Sequence, residues 1–216
     1  MAGVGGSSPA FYLSSLLYQK QDNMKVLIAC EYSGIVREAF RKKGHDAWSC
    51  DLLPTEIPGQ HIQGDVISIL DDCWDLMIAH PPCTWLCQAM RTNAARKDRP
   101  NITPIFEAER QKAFDFVMIL WNAPINKIAI ENPIGYLNQK DIFRKPDQIA
   151  RPWMFGHGYR KDICLWLKNL PILLPTQIAA ERKKLDFWSN KRNKDGYSLK
   201  SKTFQGIADA MANQWG

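Results

Sequence analysis

The stretch Trp74–Cys87, "WDLMIAHPPCTWLC", decides how the rest of the chain is read. Trp74–His80 is an apolar run of strand length, and Pro81-Pro82 ends it. Cys83 follows at once. Two prolines stiffen the approach and fix the direction of the next residue. A thiol at the carboxyl end of a strand, just before a turn or helix, meets free backbone N–H groups that lower its pKa. The position therefore suits an activated nucleophile. It also suits an inert buried cysteine, the commoner fate of that side chain.

Upstream, "KVLIACEYSG" (Lys25–Gly34) is an apolar, β-branched run that stops at a Ser-Gly turn. "IVREAFRKKG" follows with Ile35, Val36, Ala39 and Phe40 on one helical face and Gly44 as a stop. "HDAWSCDL" predicts a strand ending at Asp51, and "HIQGDVISIL" carries a further loop at Gly64-Asp65. Downstream, a long helix is expected after Thr103-Pro104, because proline is tolerated at the first helical position. Phe106, Ala113, Val117 and Leu120 recur there at helical spacing. "NKIAIENP" predicts a strand over Lys127–Ile130 broken by Pro133, "DICLWLK" a strand over Asp162–Lys168, and "FQGIADAMANQW" a closing helix. Strands alternating with helices predict an open, mostly parallel α/β sheet with helices on both faces. In such sheets function gathers at the carboxyl ends of the strands. Tyr32-Ser33-Gly34, Asp51, Asp65, Pro82-Cys83 and Glu131-Asn132 all fall at such ends.

The 216 residues are 45% hydrophobic and 23% charged, a globular balance with room for one good core. The six cysteines are scattered through apolar segments, which favours reduced thiols and a cytoplasmic setting; Cys83 and Cys87 with His80 suggest a metal site, but no second ligand pair at zinc-finger spacing accompanies them. No run of about 18 apolar residues suggests a membrane span. Residues 1–23 lack the basic start and small-residue cleavage site of a signal peptide and read as a flexible extension, with a weak helix at Phe11–Leu17. Residues 24–216 then read as a single domain with a short basic insertion at about 169–202. From Glu181 to Lys202 there are eight Lys/Arg against three Asp/Glu, nearly all of the chain's net charge of +6. Phe187, Trp188 and Tyr197 are interleaved. Basic residues with aromatics suit phosphate neutralisation and base stacking, and equally suit a solvated loop pinned by its rings. Arg182, Lys183, Lys184, Trp188, Lys191 and Arg192 are the candidate nucleic-acid contacts.

"KIAIENP" drives an apolar strand into Glu131. A buried carboxylate is costly unless paired, so a raised pKa and a proton-donating role are expected, or else pairing with Arg or Lys. The strand–"EYSG"–helix order makes a plausible nucleotide cradle, and an acid such as Asp51 at the end of the second strand commonly meets a ribose hydroxyl.

The order of these parts resembles the C5-cytosine DNA methyltransferases, in particular their short phage and prophage members. "ACEYSG" is similar to the family's first motif, which holds S-adenosylmethionine. Asp51 in "SCDLLP" matches the acid that takes the ribose, and Gly64-Asp65 in "QGDV" the motif whose Asp meets the adenine amino group. Pro82-Cys83 matches the nucleophile motif, and Glu131-Asn132 the pair that grips the pyrimidine. Arg160 in "YRKDICLWL" is the counterpart of the family's arginine-bearing strand, and "TFQGIADAMANQW" resembles its closing motif. The resemblance spans about Met24–Trp215. It implies a Rossmann-like S-adenosylmethionine-dependent methyltransferase fold and methylation of cytosine C5 in DNA through a Cys83 adduct. It implies Cys83, Glu131, Asn132 and Arg160 as the catalytic set, with Glu131 protonating or hydrogen-bonding N3 of the base, Asn132 holding Glu131, and Arg160 contacting the base or its phosphate. Glu31, Tyr32, Ser33, Gly34, Asp51, Leu52, Asp65, Pro81 and Pro82 would line the cofactor site. The implied partner is DNA, as a duplex with a flipped cytosine or as a single strand; the implied setting is the cytoplasm of a bacterium or phage-infected host, as a monomer and within restriction–modification.

The chain departs from the family pattern. Thr84 follows Cys83 where the family has Gln, Pro133 stands where it has Val, and Arg160-Lys161 replaces a longer arginine pattern. A long target-recognition region is absent. "HPPC" is also similar to the Asp-Pro-Pro-Tyr loop of amino-methyltransferases, but His80 and Cys83 occupy its outer positions. Two alternatives remain open at this point: another C5-pyrimidine modification using the same Cys–Glu pair, and a binding or anti-restriction accessory protein.

Overall fold

Apolar residues in alternating register build one seven-stranded sheet through the middle of the molecule. The structure is a computed structural model describing residues 23–88, 102–139, 141–159, 161–181 and 202–216. The strands are β1 (Lys25–Ala29), β2 (Asp46–Asp51), β3 (His61–Gln63), β4 (Leu76–Ala79), β5 (Lys127–Pro133), β6 (Gln148–Ala150) and β7 (Ile163–Lys168). Their spatial order is β3-β2-β1-β4-β5-β7-β6. The first five pair in parallel, and β7 pairs antiparallel with both β5 and β6. The strand order reverses direction between β1 and β4, which opens the crevice where open α/β sheets bind ligands. This is the Rossmann-like, mostly parallel open sheet expected from the sequence.

Alternation along the strands splits the core in two. Val26, Ile28, Leu76 and Ile78 face one side; Leu27, Ala29, Met77 and Ala79 face the other. On the first side lie α1 (Ile35–Arg41) and α3 (Gln205–Trp215), whose Val36, Phe40, Ile207, Met211 and Trp215 join that cluster. On the second lies α2 (Ile102–Trp121), through Val117 and Leu120. Helices thus cover both faces, as predicted.

Several boundaries differ from the sequence reading. α2 starts at Ile102, before Pro104, because the first turn of a helix has no N–H partner to lose. β5 is not broken at Ile130 but runs to Pro133, which pairs with Ile163 at the end of the antiparallel ladder. β6 has no counterpart in that reading; a three-residue strand is too short to carry a periodic signal. Residues 169–181, expected to open a basic insertion, are tied to the body. Gln148 Oε1 accepts from Leu173 N–H at 2.8 Å, Gln214 Oε1 from Leu174 N–H at 2.7 Å, and the Gln177 carbonyl from Gly156 N–H at 2.6 Å. Residues 1–22 of the expected extension 1–23, and the basic run 182–201, lie outside the described residues.

Trp166 of β7 anchors the second cluster. It is fully buried, packs 6.1 Å from the Phe143 ring, and donates its Nε1–H to the Arg144 carbonyl at 2.9 Å. Trp166→Ala should cost about 3–5 kcal/mol in urea unfolding. Trp166→Phe, which keeps most of the ring, should cost clearly less; equal losses would show that packing there is not the source of the stability.

Candidate active site

The parallel register of β4 and β5, with Ala79 opposite Ile130, delivers His80 and Glu131 side by side at the carboxyl edge of the sheet. The polypeptide then diverges, and two side-chain bonds hold the ends together. Asn132 Nδ2 donates to the Pro81 carbonyl at 3.0 Å, across 51 residues of sequence. Proline carbonyls keep their acceptor capacity although the ring has no N–H to give. Asn132 is 2% exposed, so this bond sits in a dry environment where leaving it unmade would be costly. Asn132 therefore orients the Pro81-Pro82-Cys83 turn, and His80, rather than Asn132, holds Glu131: His80 Nδ1 lies 2.8 Å from Glu131 Oε2.

That pair reverses the expectation for Glu131. Burial works to raise its pKa, but the hydrogen bond and charge of His80, aided by Lys161, outweigh it and hold the carboxyl below its ordinary value. His80 is correspondingly raised: burial opposes its charge, and the bond to Glu131, with the charges of Glu131 and Glu31, overcomes that. Both directions describe an imidazolium–carboxylate pair. Glu131 is an ionised acceptor here rather than a neutral acid.

Cys83 opens the turn beyond Pro82. Its carbonyl accepts from Leu86 N–H at 3.0 Å and Cys87 N–H at 2.9 Å. The residue is exposed as a whole. Partial desolvation of the sulfur, with Cys87 and Glu131 nearby, nevertheless pushes the thiol up, against the pull of Lys161. The lowered pKa expected from the strand-end position is not found, because nearby negative charge and shielding exceed the help from the backbone. The turn also packs on the loop after β5. Cys87 bridges to Gly135, and a Cβ on Gly135 would lie 2.1 Å from the Leu86 carbonyl oxygen.

The neighbouring crevice holds a cavity of about 290 Å³ lined by Cys30, Cys50, Asp51, Leu52, Gly64, Asp65, Val66, Ile67, Pro82 and Phe116. Four predicted cofactor residues, Asp51, Leu52, Asp65 and Pro82, thus face one space. Asp51 ends β2 and accepts from Leu53 N–H at 2.9 Å; Asp65 caps the short helical turn Val66–Ile69 by accepting from Ile67 N–H at 3.0 Å. The other predicted cofactor residues, Glu31, Tyr32, Ser33, Gly34 and Pro81, do not line this cavity. The Glu31 carboxylate accepts from Val36 N–H at 2.8 Å, Arg37 N–H at 3.2 Å and the Ser33 hydroxyl at 3.0 Å, so it caps α1. Gly34 takes φ +76°, the left-handed turn that lets the chain enter the helix. The Tyr32 carbonyl accepts from Glu56 N–H at 2.9 Å.

Sequence reasoning did not single out His80 as a partner of Glu131, nor Arg37, Lys161 or Gly135. The signal for His80 was present, since an apolar strand that ends in histidine needs a partner for it. Arg37 is fully buried and donates to Glu38, Ser49, Thr55 and the Ile57 carbonyl, which ties down the loop that carries Leu52. A second cavity, of about 180 Å³, lies behind the Cys83 turn among Trp85, Phe106, Arg110, Tyr136 and Gln139. Arg160 and the predicted nucleic-acid contacts, Arg182, Lys183, Lys184, Trp188, Lys191 and Arg192, lie outside the described residues. Among the described residues, the charge of Lys161, next to Arg160, reaches Cys83, His80 and Glu131.

The pair should leave a mark on stability. Glu131, held below its ordinary 4.5, stabilises the fold above that value and loses the contribution as pH falls through its lowered pKa. His80, held above its ordinary 6.5, stabilises below that value and loses the contribution as pH rises through its raised pKa. The stability advantage of the wild type over Glu131→Gln, measured by urea unfolding across pH, should be greatest between the two pKa values and shrink on both sides. A flat difference would contradict an ion pair.

Neither a protein-family model nor a curated protein sequence matches this chain. Among solved structures, it is similar to a protein described as a DNA modification methyltransferase encoded within an E. coli prophage, with 14% identity and TM-score 0.46 over 72% of this chain and 52% of that one. It is similar to the S. pombe Dnmt2 methyltransferase, with 15% identity and TM-score 0.41 over 79% and 56% of the two chains. A Spodoptera frugiperda DNMT2 mutant gives 13% identity and TM-score 0.41 over 75% and 56%. The chain spans about half the length of each of these proteins.

Proposed function

We propose that this chain transfers a methyl group from S-adenosylmethionine to C5 of cytosine in DNA through a covalent adduct on Cys83. The observation that carries this reading is the convergence of Cys83 and Glu131 at the ends of neighbouring strands, bound together by the Asn132–Pro81 bond, beside a cavity with an acid on each of two adjoining strand ends. The cavity suits the cofactor. Its carboxylates, Asp51 and Asp65, are acceptors for ribose hydroxyls and an adenine amino group; Leu52, Val66, Ile67 and Phe116 offer apolar walls. Bound there, the cofactor supplies an electrophilic methyl group.

Cytosine C5 is a poor nucleophile until C6 is attacked. The Cys83 sulfur forms a bond to C6 and thereby makes C5 electron-rich. The groups around His80 and Glu131 stabilise the charge that moves onto the ring. After methylation C5 loses its proton to water, the S–C6 bond breaks, and Cys83 is released. The thiol of the free protein, held up by its surroundings, must lose its proton on substrate binding, when Lys161 and the base replace solvent around it. A stacked base cannot reach Cys83, so the substrate is a flipped or unpaired cytosine. A soluble, cytoplasmic, monomeric protein acting in a phage-infected or bacterial cell is part of the same proposal.

Incubation with methyl-labelled S-adenosylmethionine and single- or double-stranded DNA, followed by nucleoside mass analysis, should yield 5-methylcytosine. Cys83→Ala should abolish it, by at least about 10³-fold, with cofactor affinity retained. Cofactor binding without transfer would reject this reaction and favour a different pyrimidine modification or an accessory role. Asp51→Ala should weaken cofactor binding by roughly 10–100-fold in calorimetry, the loss of a charged hydrogen bond; unchanged affinity would place the cofactor elsewhere.

A further inference from the structure

His80 has two ring nitrogens, and the fold satisfies one. Nδ1 is bonded to Glu131 at 2.8 Å. Nε2 is buried and meets no hydrogen-bond partner among the described residues. The ring is held in place by that Nδ1 bond and by burial, its side chain being 10% exposed. An unmet buried polar atom is costly and calls for an explanation. This one sits at the carboxyl end of β4, three residues before Cys83 and beside the strand-order reversal, where a ligand would enter.

We propose that His80 is the proton donor of this site: its Nε2–H meets N3 of the bound pyrimidine while Glu131 holds its Nδ1–H. The inference rests on the function proposed above and deepens it. Ionised Glu131 has no proton to give. His80 does, and Glu131 keeps the imidazolium in one orientation, as a carboxylate does for a histidine whose second nitrogen acts on substrate. Among the described residues, the charged groups that act on the ring are Glu131 from β5, Glu31 from the β1–α1 loop and Lys161 before β7; the two acids favour the protonated ring and Lys161 opposes it.

The proton balance closes. Cys83 first gives its thiol proton to water; as the S–C6 bond then forms, the C5–C6 π pair shifts toward C4 and the C4–N3 π pair moves onto N3, which takes the Nε2 proton. His80 becomes neutral, with Nδ1–H still on Glu131. C5 then bonds the methyl carbon, and the methyl–sulfur bond of the cofactor breaks. Water takes the C5 proton, C5=C6 re-forms as the S–C6 bond breaks, and N3–H returns its proton to Nε2.

Two variants separate this role from a purely structural one. His80→Asn keeps an amide near the Nδ1 position for Glu131 but has nothing at Nε2. Its turnover at neutral pH should fall by about 10²–10⁴-fold, while cofactor affinity and KM for DNA change little. The deficit should shrink as pH falls, because Glu131 without the imidazolium protonates more easily and can donate in its place. Turnover within threefold of wild type, or a deficit constant with pH, would overturn the proposal. His80→Gln should lose turnover as well, since its amide cannot yield a proton. A measurement that does not depend on turnover is the ¹⁵N resonance of His80 Nε2 in labelled wild-type protein on addition of an oligodeoxynucleotide with one unpaired cytosine. A shift that is absent with an abasic oligonucleotide supports the contact; no shift overturns it. If wild type made no 5-methylcytosine, the reaction proposed above would fail, while this resonance would still decide whether His80 meets the base.

Discussion

The parallel pairing of β4 with β5 is the constraint on which the candidate site depends. Hydrogen bonds between Leu76–Ala79 and Lys127–Ile130 set one register, and that register decides which side chains emerge together where the strands end. A slip of one residue would turn His80 or Glu131 to the opposite face. Both strands are buried on both sides by apolar residues, so the register is strongly specified. The Asn132–Pro81 bond then converts the register of two strands into the direction of a turn. Proline makes that transfer effective, since a stiff turn held at its carbonyl carries Cys83 with it.

Electrostatics at this edge follow from shielding. Glu131 and His80 would each be costly as an isolated buried charge, and together they stabilise one another through a bond of 2.8 Å. The same shielding explains why Cys83 is not a preformed thiolate. With Glu131 ionised nearby, a second negative charge is disfavoured, and Lys161 offsets this only in part. Thiol, carboxylate and imidazole are therefore one coupled set, and the protonation of each depends on the others.

The neighbouring cavity is built by different means. Glu31 spends its carboxylate on the amides that open α1, and buried Arg37 ties the loop after β2 to α1 and β2. Neither faces the cavity. They fix its walls and leave Asp51 and Asp65 to present oxygens at the two neighbouring strand ends. A site whose walls are held from behind needs little rearrangement on binding, which favours affinity.

Most of the fold was legible in the sequence because long apolar runs and helix-spaced residues declare themselves locally: β1, β2, β4, β7, α1, α2 and α3 each carry such a pattern. So did the strand-end placement of Asp51, Asp65, Cys83 and Glu131, since a polar residue that interrupts an apolar run is visible without a partner. β6 and the extension of β5 through Pro133 were not legible, because they exist only by pairing with β7. Charge states were not legible either. A lone Glu131 at a buried strand end reads as a neutral acid and a lone Cys83 after two prolines as a thiolate; only the tertiary structure reverses both readings, by setting His80 against Glu131 across 51 residues and by shielding the Cys83 sulfur from solvent. Residue types and their order along the chain determined which chemical groups stand at the sheet edge. Strand register and burial decided which of them touch, and hence where the protons reside, because pKa depends on neighbours that the linear sequence does not name.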